Sequence, residues 1–559
     1  MVIEALRSNW TDPGMRIGLA QINAIIGDLE GNTAKIIQLI EQGLQQQLDL
    51  LVFPELAITG YSPQDLWWEP GFIEGNLKAL KQIAQAVTGN LVVIIGYGQP
   101  EGEDLFNAAA IIQDRQVKAS RYKTLLPNYD VFDERRYFTP APTIDPVTMA
   151  IGGTNICLGV EICEDLWDKH YDLKVSDALV QKGAELLVNI SASPFEYDKR
   201  ERRLQLAREK AQTFNCPFVL VNLVGGGDEM VFDGNSFVLD SKGEIIGWGG
   251  EFQEGLTVCE LDWASRLGLP LKLPVIPRAQ SIFEALKVGV RDYFYKTGAR
   301  QAVIGLSGGI DSALVSCVAV EALGRENVLG VLLPSRFTSQ ASIEDAQQLA
   351  NNLGIQTKTI PIEPLFQAYL ASLQKELARR PADITEENIQ ARIRGNILMA
   401  LANRYHYYLL STGNKTELSL GYCTLYGDMC GALAVIADLS KMVVYEVARW
   451  YNQWRGAEVI PERIFTKIPT AELRPEQVDP FDYPVVSPLV DLIIVEHKSR
   501  QELMALGYAP ELVDDLLNKI RLAEYKRHQS PPAIKVTSRT FGLGRRMPII
   551  NYYTQKETK

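Results

Sequence analysis

Ala302-Val303-Ile304-Gly305-Leu306-Ser307-Gly308-Gly309-Ile310-Asp311-Ser312 is an apolar run, a glycine turn and the opening of an amphipathic stretch that continues to Leu323. It reads as strand, loop and helix. Two successive glycines let the backbone approach a ligand closely, two serines bring hydroxyl donors, and a helix start presents unpaired N–H groups with a favourable dipole. The anion suited to such a turn is a nucleotide phosphate or pyrophosphate. The segment is not a Gly-x-x-x-x-Gly-Lys-Ser/Thr loop, because the chain has no Gly-Lys pair. Read alone it also fits a tight turn with no ligand.

Outward from this loop, apolar runs alternate with helical patterns. Ala302–Leu306, Val328–Leu333, Thr357–Ile362 and Tyr408–Ser411 read as strands. Ser281–Lys296, Ala313–Leu323, Ser339–Leu353, Asn388–Tyr405 and Lys441–Arg455 read as helices. This is the pattern of a doubly wound parallel sheet, in which the Ser307 loop leaves the carboxyl end of a strand, where ligands sit. The preceding stretch, Leu267 to Ala279, carries prolines at 270, 274 and 277, too dense for a helix or central strand. A linker over 267–280 therefore separates a domain at 1–266 from one at 281–559. In the first domain, strands are expected at Arg16–Ile22, Leu48–Phe53, Leu91–Tyr97, Asn107–Gln113, Thr154–Ile162, Leu186–Ile190, Phe218–Leu223 and Ser236–Asp240. Helices are expected at Asn32–Gln47, Glu74–Ala86, Val175–Lys182 and Arg200–Asn215, giving a second α/β layered unit.

A chain of 559 residues exceeds one ordinary core. A net charge of −12 argues against a general nucleic-acid or membrane-surface partner. Met1 to Thr11 lacks the plan of a signal peptide and no run of eighteen apolar residues occurs, so the expectation is a cytoplasmic protein. Seven cysteines without a Cys-x-x-Cys pair read as reduced thiols, and four histidines without ligand spacing argue against a zinc centre. Arg521, Lys526, Arg527, Lys535, Arg539, Arg545 and Arg546 form a basic stretch that suits a phosphorylated small molecule or a solvated face.

Three residues in the first domain stand at strand-like ends: Glu55 after Leu50-Leu51-Val52-Phe53-Pro54, Lys123 in Arg121-Tyr122-Lys123-Thr124-Leu125-Leu126-Pro127, and Cys163 after Cys157-Leu158-Gly159-Val160-Glu161-Ile162 and before Glu164-Asp165. Singly, they fit an ion pair and a core thiol equally well. Together, with Leu126-Pro127-Asn128-Tyr129 and Phe132-Asp133-Glu134 following the lysine, they resemble the nitrilase, or carbon–nitrogen hydrolase, superfamily. The resemblance implies a nitrilase-like α/β sandwich in which Cys163 attacks an amide, Glu55 moves its proton and Lys123 stabilises the oxyanion. It also implies that Tyr129, Glu134, Ser193 and Lys199, with Arg203, surround a glutamine amide. A Cys–His mechanism competes but has no histidine beside these motifs, His170 being the nearest in sequence to Cys163.

Ser307-Gly308-Gly309-Ile310-Asp311-Ser312 similarly resembles the loop of the ATP pyrophosphatases, an adenine nucleotide alpha hydrolase-like fold. An amide-cleaving unit joined to an adenylating one resembles the glutamine-dependent NAD synthetases. That resemblance implies ATP held by Gly305, Leu306, Ser307, Gly308, Gly309, Ile310, Asp311, Ser312, Thr412 and Thr470. It places deamido-NAD on Asn388, Arg392 (with Arg394), Glu417, Lys441 and Lys526, and Mg²⁺ on Asp311 and Glu417. L-glutamine is the implied nitrogen source and a homo-oligomer the implied assembly. Thr424-Leu425-Tyr426-Gly427-Asp428-Met429-Cys430-Gly431 departs from the ammonia-only enzymes, so their contacts do not transfer to Leu425 or Ala432. Two alternatives stay open: a ligase acting on another carboxylate or purine acceptor, and an amidase regulated by nucleotide.

Overall fold

A computed structural model describes residues 14–378 and 381–555; Met1 to Thr11 lies outside the described residues. The chain divides into two compact units, one reaching Val275 apart from Asp228–Met230, the other comprising those three residues and the chain from Ile276.

The first unit is built on two sheets. Strands β1 (Met15–Gln21), β2 (Leu50–Val52), β3 (Val92–Glu101), β4 (Asp104–Gln113) and β5 (Gln116–Tyr122) belong to one, β6 (Val147–Ile151), β7 (Thr154–Ile162), β8 (Leu186–Ser191) and β9 (Phe218–Asn222) to the other. A two-stranded ribbon follows, β10 (Val224–Gly227) with β11 (Met230–Asp233), and then β12 (Phe237–Leu239), β13 (Ile245–Trp248), β14 (Gly255–Asp262) and β15 (Leu267–Gly268). The sheet orders are β15-β14-β1-β2-β3-β4-β5 and β13-β12-β9-β8-β7-β6. Alternation along each strand sends one set of side chains between the sheets. Ile17, Leu19, Leu50, Val52, Val92 and Ile94 meet Leu158, Val160, Ile162, Leu186, Val188 and Val219 in one core. The outer face of the second sheet is covered by helices Val175–Gln181 and Lys199–Phe214, through Val175, Leu179, Ala207 and Ala211 against Leu187, Phe218 and Leu220.

The second unit carries β16 (Ala302–Gly305), β17 (Val328–Leu332), β18 (Gln356–Thr359), β19 (Tyr408–Ser411) and β20 (Leu433–Ala434). Their order is β18-β17-β16-β19-β20 and every pairing is parallel. Chain order reverses between β16 and β19, so the loops leaving these two strands flank the crevice where doubly wound sheets take ligands. Helix α1 (Ile310–Leu323) starts directly after the β16 loop, and α2 (Ile384–Tyr405) covers the sheet with Ile389, Ile393 and Ala402 against Val303, Leu329, Val331 and Leu409.

Three expectations change. Leu267 and Gly268, expected in the linker, pair with β14, and a helix already begins at Arg278; short pairing tolerates the flanking prolines that longer strands would not. Strands β5, β6, β13 and β14 were not expected: β5 and β14 are largely exposed or half-buried, and the edge strands β6 and β13 are only five and four residues long. The basic C-terminal stretch is not one phosphate-binding face. The Arg527 guanidinium is buried and donates to the Leu418, Ser419 and Ile520 carbonyls and to Glu524. Lys526 donates to the Gly421 and Cys423 carbonyls, and Arg545 pairs with Glu524. Helix-end and loop carbonyls need donors, and these cations supply them.

Candidate active sites

In the first unit, Glu55 lies just beyond β2, Lys123 follows the last residue of β5, and Cys163 follows the last residue of β7. Each thus sits where a rigid strand ends. The Lys123 ammonium lies 2.7 Å from Glu55 Oε1 and 2.7 Å from Glu134 Oε1. Glu55 Oε1 also accepts from Asn107 Nδ2 at 2.7 Å, and its Oε2 accepts from the Ala192 amide at 2.7 Å. Tyr61 donates to Glu134 at 2.9 Å. Burial tends to lower the Lys123 pKa, but Glu134 and Glu55 outweigh it and hold the ammonium well above its usual value. Glu134 is pushed up to about 7 by burial, against the pull of Lys123. Burial raises the Cys163 thiol strongly, with Glu55 adding to the rise and Lys123 opposing it. The thiol is therefore protonated at neutral pH and needs a base to become a nucleophile. Cys163 itself has φ +47°, a left-handed conformation that costs a non-glycine residue about 1–2 kcal/mol and turns the chain sharply at the strand end.

Around these groups, Tyr129 donates to Glu164 at 2.9 Å, as does Tyr171 at 3.0 Å. The Ser193 amide donates to Asn222 Oδ1 at 2.8 Å. Lys199 donates to the Pro194 carbonyl at 3.1 Å and lies over the Trp167 ring at 5.7 Å. Arg203 is buried and donates to Asp233 and the Gly234 carbonyl.

In the second unit the Ser307 loop bends at Gly308, whose φ is +75° and where a Cβ would meet the Ser342 carbonyl oxygen at 2.2 Å. Only glycine fits there. Gly309 caps α1 without a side-chain bond to the helix, so the first turn turns its amides toward the loop. Ser307 Oγ and Ser312 Oγ lie 3.1 Å apart. A cavity of about 320 Å³ is lined by Gly305, Leu306, Ser307, Gly309, Ile310, Asp311, Thr412 and Thr470, with Arg394, Lys441 and Lys467 as its cations. A second cavity of about 130 Å³ shares Ser307, Asp311 and Thr412 and adds Ser312 and Glu417. Gly308 lines neither; it makes the turn.

Lys441 joins the two carboxylates, bonded to Asp311 Oδ2 and 3.4 Å from Glu417 Oε1. Asp311 Oδ1 accepts from Asn414 Nδ2 at 3.0 Å. Glu417 is pushed up to about 8 by burial; Lys441 pulls it down and Asp311 pushes it up. Three other expected residues line neither cavity. Asn388 accepts from Thr424 at 2.8 Å, Arg392 donates to the Leu425 carbonyl at 3.2 Å, and Lys526 holds the Gly421 and Cys423 carbonyls at 2.8 and 2.6 Å. All three tie down the segment before Asp428, which does line both cavities.

Sequence reasoning missed Asn107, Tyr61, the Ala192 amide and Asn414. It also missed Lys467, which donates to the Gly308 carbonyl at 3.0 Å and Ser342 at 2.7 Å. Lys467 had a signal, since it opens the Lys-Ile-Pro-Thr run ending at Thr470.

The carbon-nitrogen hydrolase family matches residues 16–266 and the NAD synthase family residues 282–530. The glutamine-dependent NAD(+) synthetase of Thermotoga maritima is 43% identical, over 97% of this chain and 99% of its own. That of Synechocystis sp. is also 43% identical, over 95% of this chain and 98% of its own. The solved structure of glutamine-dependent NAD+ synthetase from Acinetobacter baumannii, in complex with ADP, is similar with a TM-score of 0.78 at 36% identity, covering 97% of this chain and 100% of that one.

Proposed function

The chain belongs to the glutamine-dependent NAD(+) synthetases, and we propose that its two sites divide that family's reaction between them. In the first unit, Glu55 takes the Cys163 proton as the sulfur attacks the side-chain amide of glutamine. Lys123 stabilises the oxyanion, and the proton then goes to the departing ammonia, leaving a γ-glutamyl thioester that water opens to glutamate. The observation that carries this reading is the Lys123 ammonium held at 2.7 Å from each of two buried carboxylates, with Cys163, like Lys123, directly following the last residue of its strand. Tyr129, Glu134, Ser193 and Lys199 surround the glutamine.

In the second unit the nicotinate carboxylate of deamido-NAD attacks the α-phosphorus of ATP and pyrophosphate leaves. Ammonia then attacks the adenylated carbonyl, AMP departs, and the amide of NAD is formed. The loop amides, the Ser307 and Ser312 hydroxyls, Thr412 and Thr470 hold ATP at the strand-order reversal, Glu417 and Lys441 serve deamido-NAD, and Asn388, Arg392 and Lys526 serve it by holding the segment before Asp428. The ADP complex of the A. baumannii relative supports an adenine nucleotide. Among the described residues no group of three or more His, Cys, Asp and Glu could hold a metal unaided. Asp311 and Glu417 fit a magnesium ion that arrives with its nucleotide, since this cation takes one or two carboxylates beside phosphate oxygens. It would supply charge neutralisation on the phosphates.

The test is incubation with ATP, magnesium, glutamine and deamido-NAD, omitting each in turn while NAD, AMP and pyrophosphate are measured. All four should be required, with AMP and pyrophosphate forming in step with NAD. NAD formation without ATP, or ADP and phosphate as the products, would overturn the adenylation route; turnover of another carboxylate in place of deamido-NAD would overturn the acceptor.

A further inference from the structure

Glu55 and Lys123 position each other through their 2.7 Å bond. Cys163 has no such tie: among the described residues no hydrogen bond joins its thiol to either partner. The sulfur and the ammonium must nevertheless address one carbonyl, and they lie on different strands of different sheets, at the ends of β7 and β5. Something other than the catalytic side chains has to fix their spacing.

We propose that Asp165 is the positioning residue that does so. Its carboxylate is buried, at 1% exposure, and its two oxygens reach two segments, Oδ2 also lying 3.5 Å from the Thr124 amide. Oδ1 accepts from the amides of Thr124 at 3.1 Å and Leu125 at 2.8 Å, the two residues directly after Lys123. Oδ2 accepts from the amide of Ile162 at 2.9 Å, the residue directly before Cys163. One rigid group thereby links the lysine segment to the nucleophile turn through backbone on both sides. The Ile162 bond also spans the left-handed Cys163, φ +47°, closing a turn that would otherwise relax. Burial pushes the Asp165 pKa up to about 8, against the Ile162 and Leu125 amides that pull it down; its bonds go to backbone amides and to no reacting group, so its part is geometric. This inference rests on the assignment of Glu55, Lys123 and Cys163 as the glutaminase groups.

The decisive variant is Asp165→Asn. It keeps the size and one oxygen but turns an N–H donor against an N–H donor on one side, so one segment must withdraw. Misplacement of about 1 Å costs roughly 100-fold in rate. Glutamine-driven kcat should fall roughly 100-fold while KM for glutamine changes little. Ammonium-driven NAD synthesis in the same preparation should match wild type, and alkylation of Cys163 by iodoacetamide should slow. Asp165→Glu, with both oxygens but a longer arm, should show the same fall in kcat without a matching rise in KM. Wild-type kcat in either variant overturns the proposal. So does a loss in which KM rises with kcat and Cys163 alkylates faster, the signature of a merely loosened fold, and so does failure of both variants to give folded protein. Cys163→Ala is run beside them: if it keeps glutamine-driven activity, the glutaminase reading falls and this inference with it, whereas its loss beside an active Asp165→Asn leaves that reading intact and removes Asp165 alone.

Discussion

Each unit holds a lysine between two carboxylates, and the two clusters differ in what surrounds them. Around Lys123, the lysine and Glu55 side chains are fully buried and Glu134 is 4% exposed. Asn107 shares Glu55 Oε1 with the lysine, and the Ala192 amide takes Oε2. Around Lys441, the side chains of Asp311 and Glu417 are 17% and 19% exposed and both border a cavity. The same three charges are thus a closed assembly in one place and an open one in the other. A closed cluster keeps its lysine aimed at one spot, as an oxyanion site requires. An open one can exchange its internal cation for phosphates and their counter-ion. Exposure, rather than the residue types, is what distinguishes the two clusters.

The largest effect that would break this contrast comes from Cys163→Ala. If the closed cluster serves only amide cleavage, glutamine-driven NAD formation should vanish while ammonium-driven formation persists, rising with pH as neutral ammonia replaces ammonium. Cys157→Ala, six residues upstream on β7, should leave both activities nearly intact. Loss of both activities in folded Cys163→Ala protein would mean that the two sites are not chemically separate.

Removing the lysines tests the burial difference directly. Lys123→Met leaves Glu55 and Glu134 facing each other without a cation in a dry site, and breaking a buried pair this way costs about 3–5 kcal/mol. Lys441→Met leaves Asp311 and Glu417 beside a cavity that solvent can enter, where screening reduces the penalty. Calorimetric unfolding should show the Lys123 variant falling well below wild type and the Lys441 variant falling much less. Each should lose its own site's activity. Equal destabilisation would show that the open cluster depends on its lysine no less than the closed one does.

The two sites were also unequally legible. The Ser307 loop is contiguous, so strand, glycines and helix start could be read together, and all but two of the expected ATP residues line the larger cavity. The amide site is assembled from separate strand ends. Thr154–Ile162 was readable to the residue because Ile156, Leu158, Val160 and Ile162 recur at every second position. The bonds that complete the site join residues far apart in sequence: Asn107 to Glu55 across 52 positions, Tyr61 to Glu134 across 73, Leu125 to Asp165 across 40. No local pattern encodes such partners. The basic C-terminal stretch failed for a related reason, since sequence displays the charges of Lys526 and Arg527 but not the carbonyls that use them.

A smaller, sharper probe of the open site is Gly308→Ala. The alanine must adopt φ +75° and place its Cβ 2.2 Å from the Ser342 carbonyl oxygen, so the loop has to shift away from the helix Gln340–Leu353 that carries Ser342. A left-handed alanine alone costs about 1–2 kcal/mol, or roughly tenfold in the population of the productive loop. NAD synthesis with either nitrogen donor should fall about tenfold or more with KM for ATP raised, while glutamine hydrolysis measured alone keeps its rate. Unchanged ATP dependence would separate the loop from nucleotide binding.

The smallest expected effect lies in the first unit, where burial also acts on a carboxyl outside the lysine cluster. Glu161, opposite Asn189 in the β7–β8 pairing, accepts from Asn189 Nδ2 at 3.0 Å and from Ser176 Oγ at 2.7 Å. Burial raises it from 4.5 to about 7; those two bonds and Lys210 pull it down, while Asp168 pushes it up. The folded state therefore keeps a proton that the unfolded chain releases, and stability falls as pH rises from about 4.5 through about 7, then levels off. Glu161→Gln cannot titrate, and its amide can still accept from Asn189 and donate to the Ser176 hydroxyl, which serves as either partner. The variant's unfolding free energy relative to wild type should thus climb between pH 5 and pH 8, by an amount on the order of 1 kcal/mol. A difference independent of pH would place the Glu161 titration outside that window; one that narrowed with rising pH would mean the folded protein prefers the carboxylate, and that its surroundings are wetter than the closed character of this unit implies.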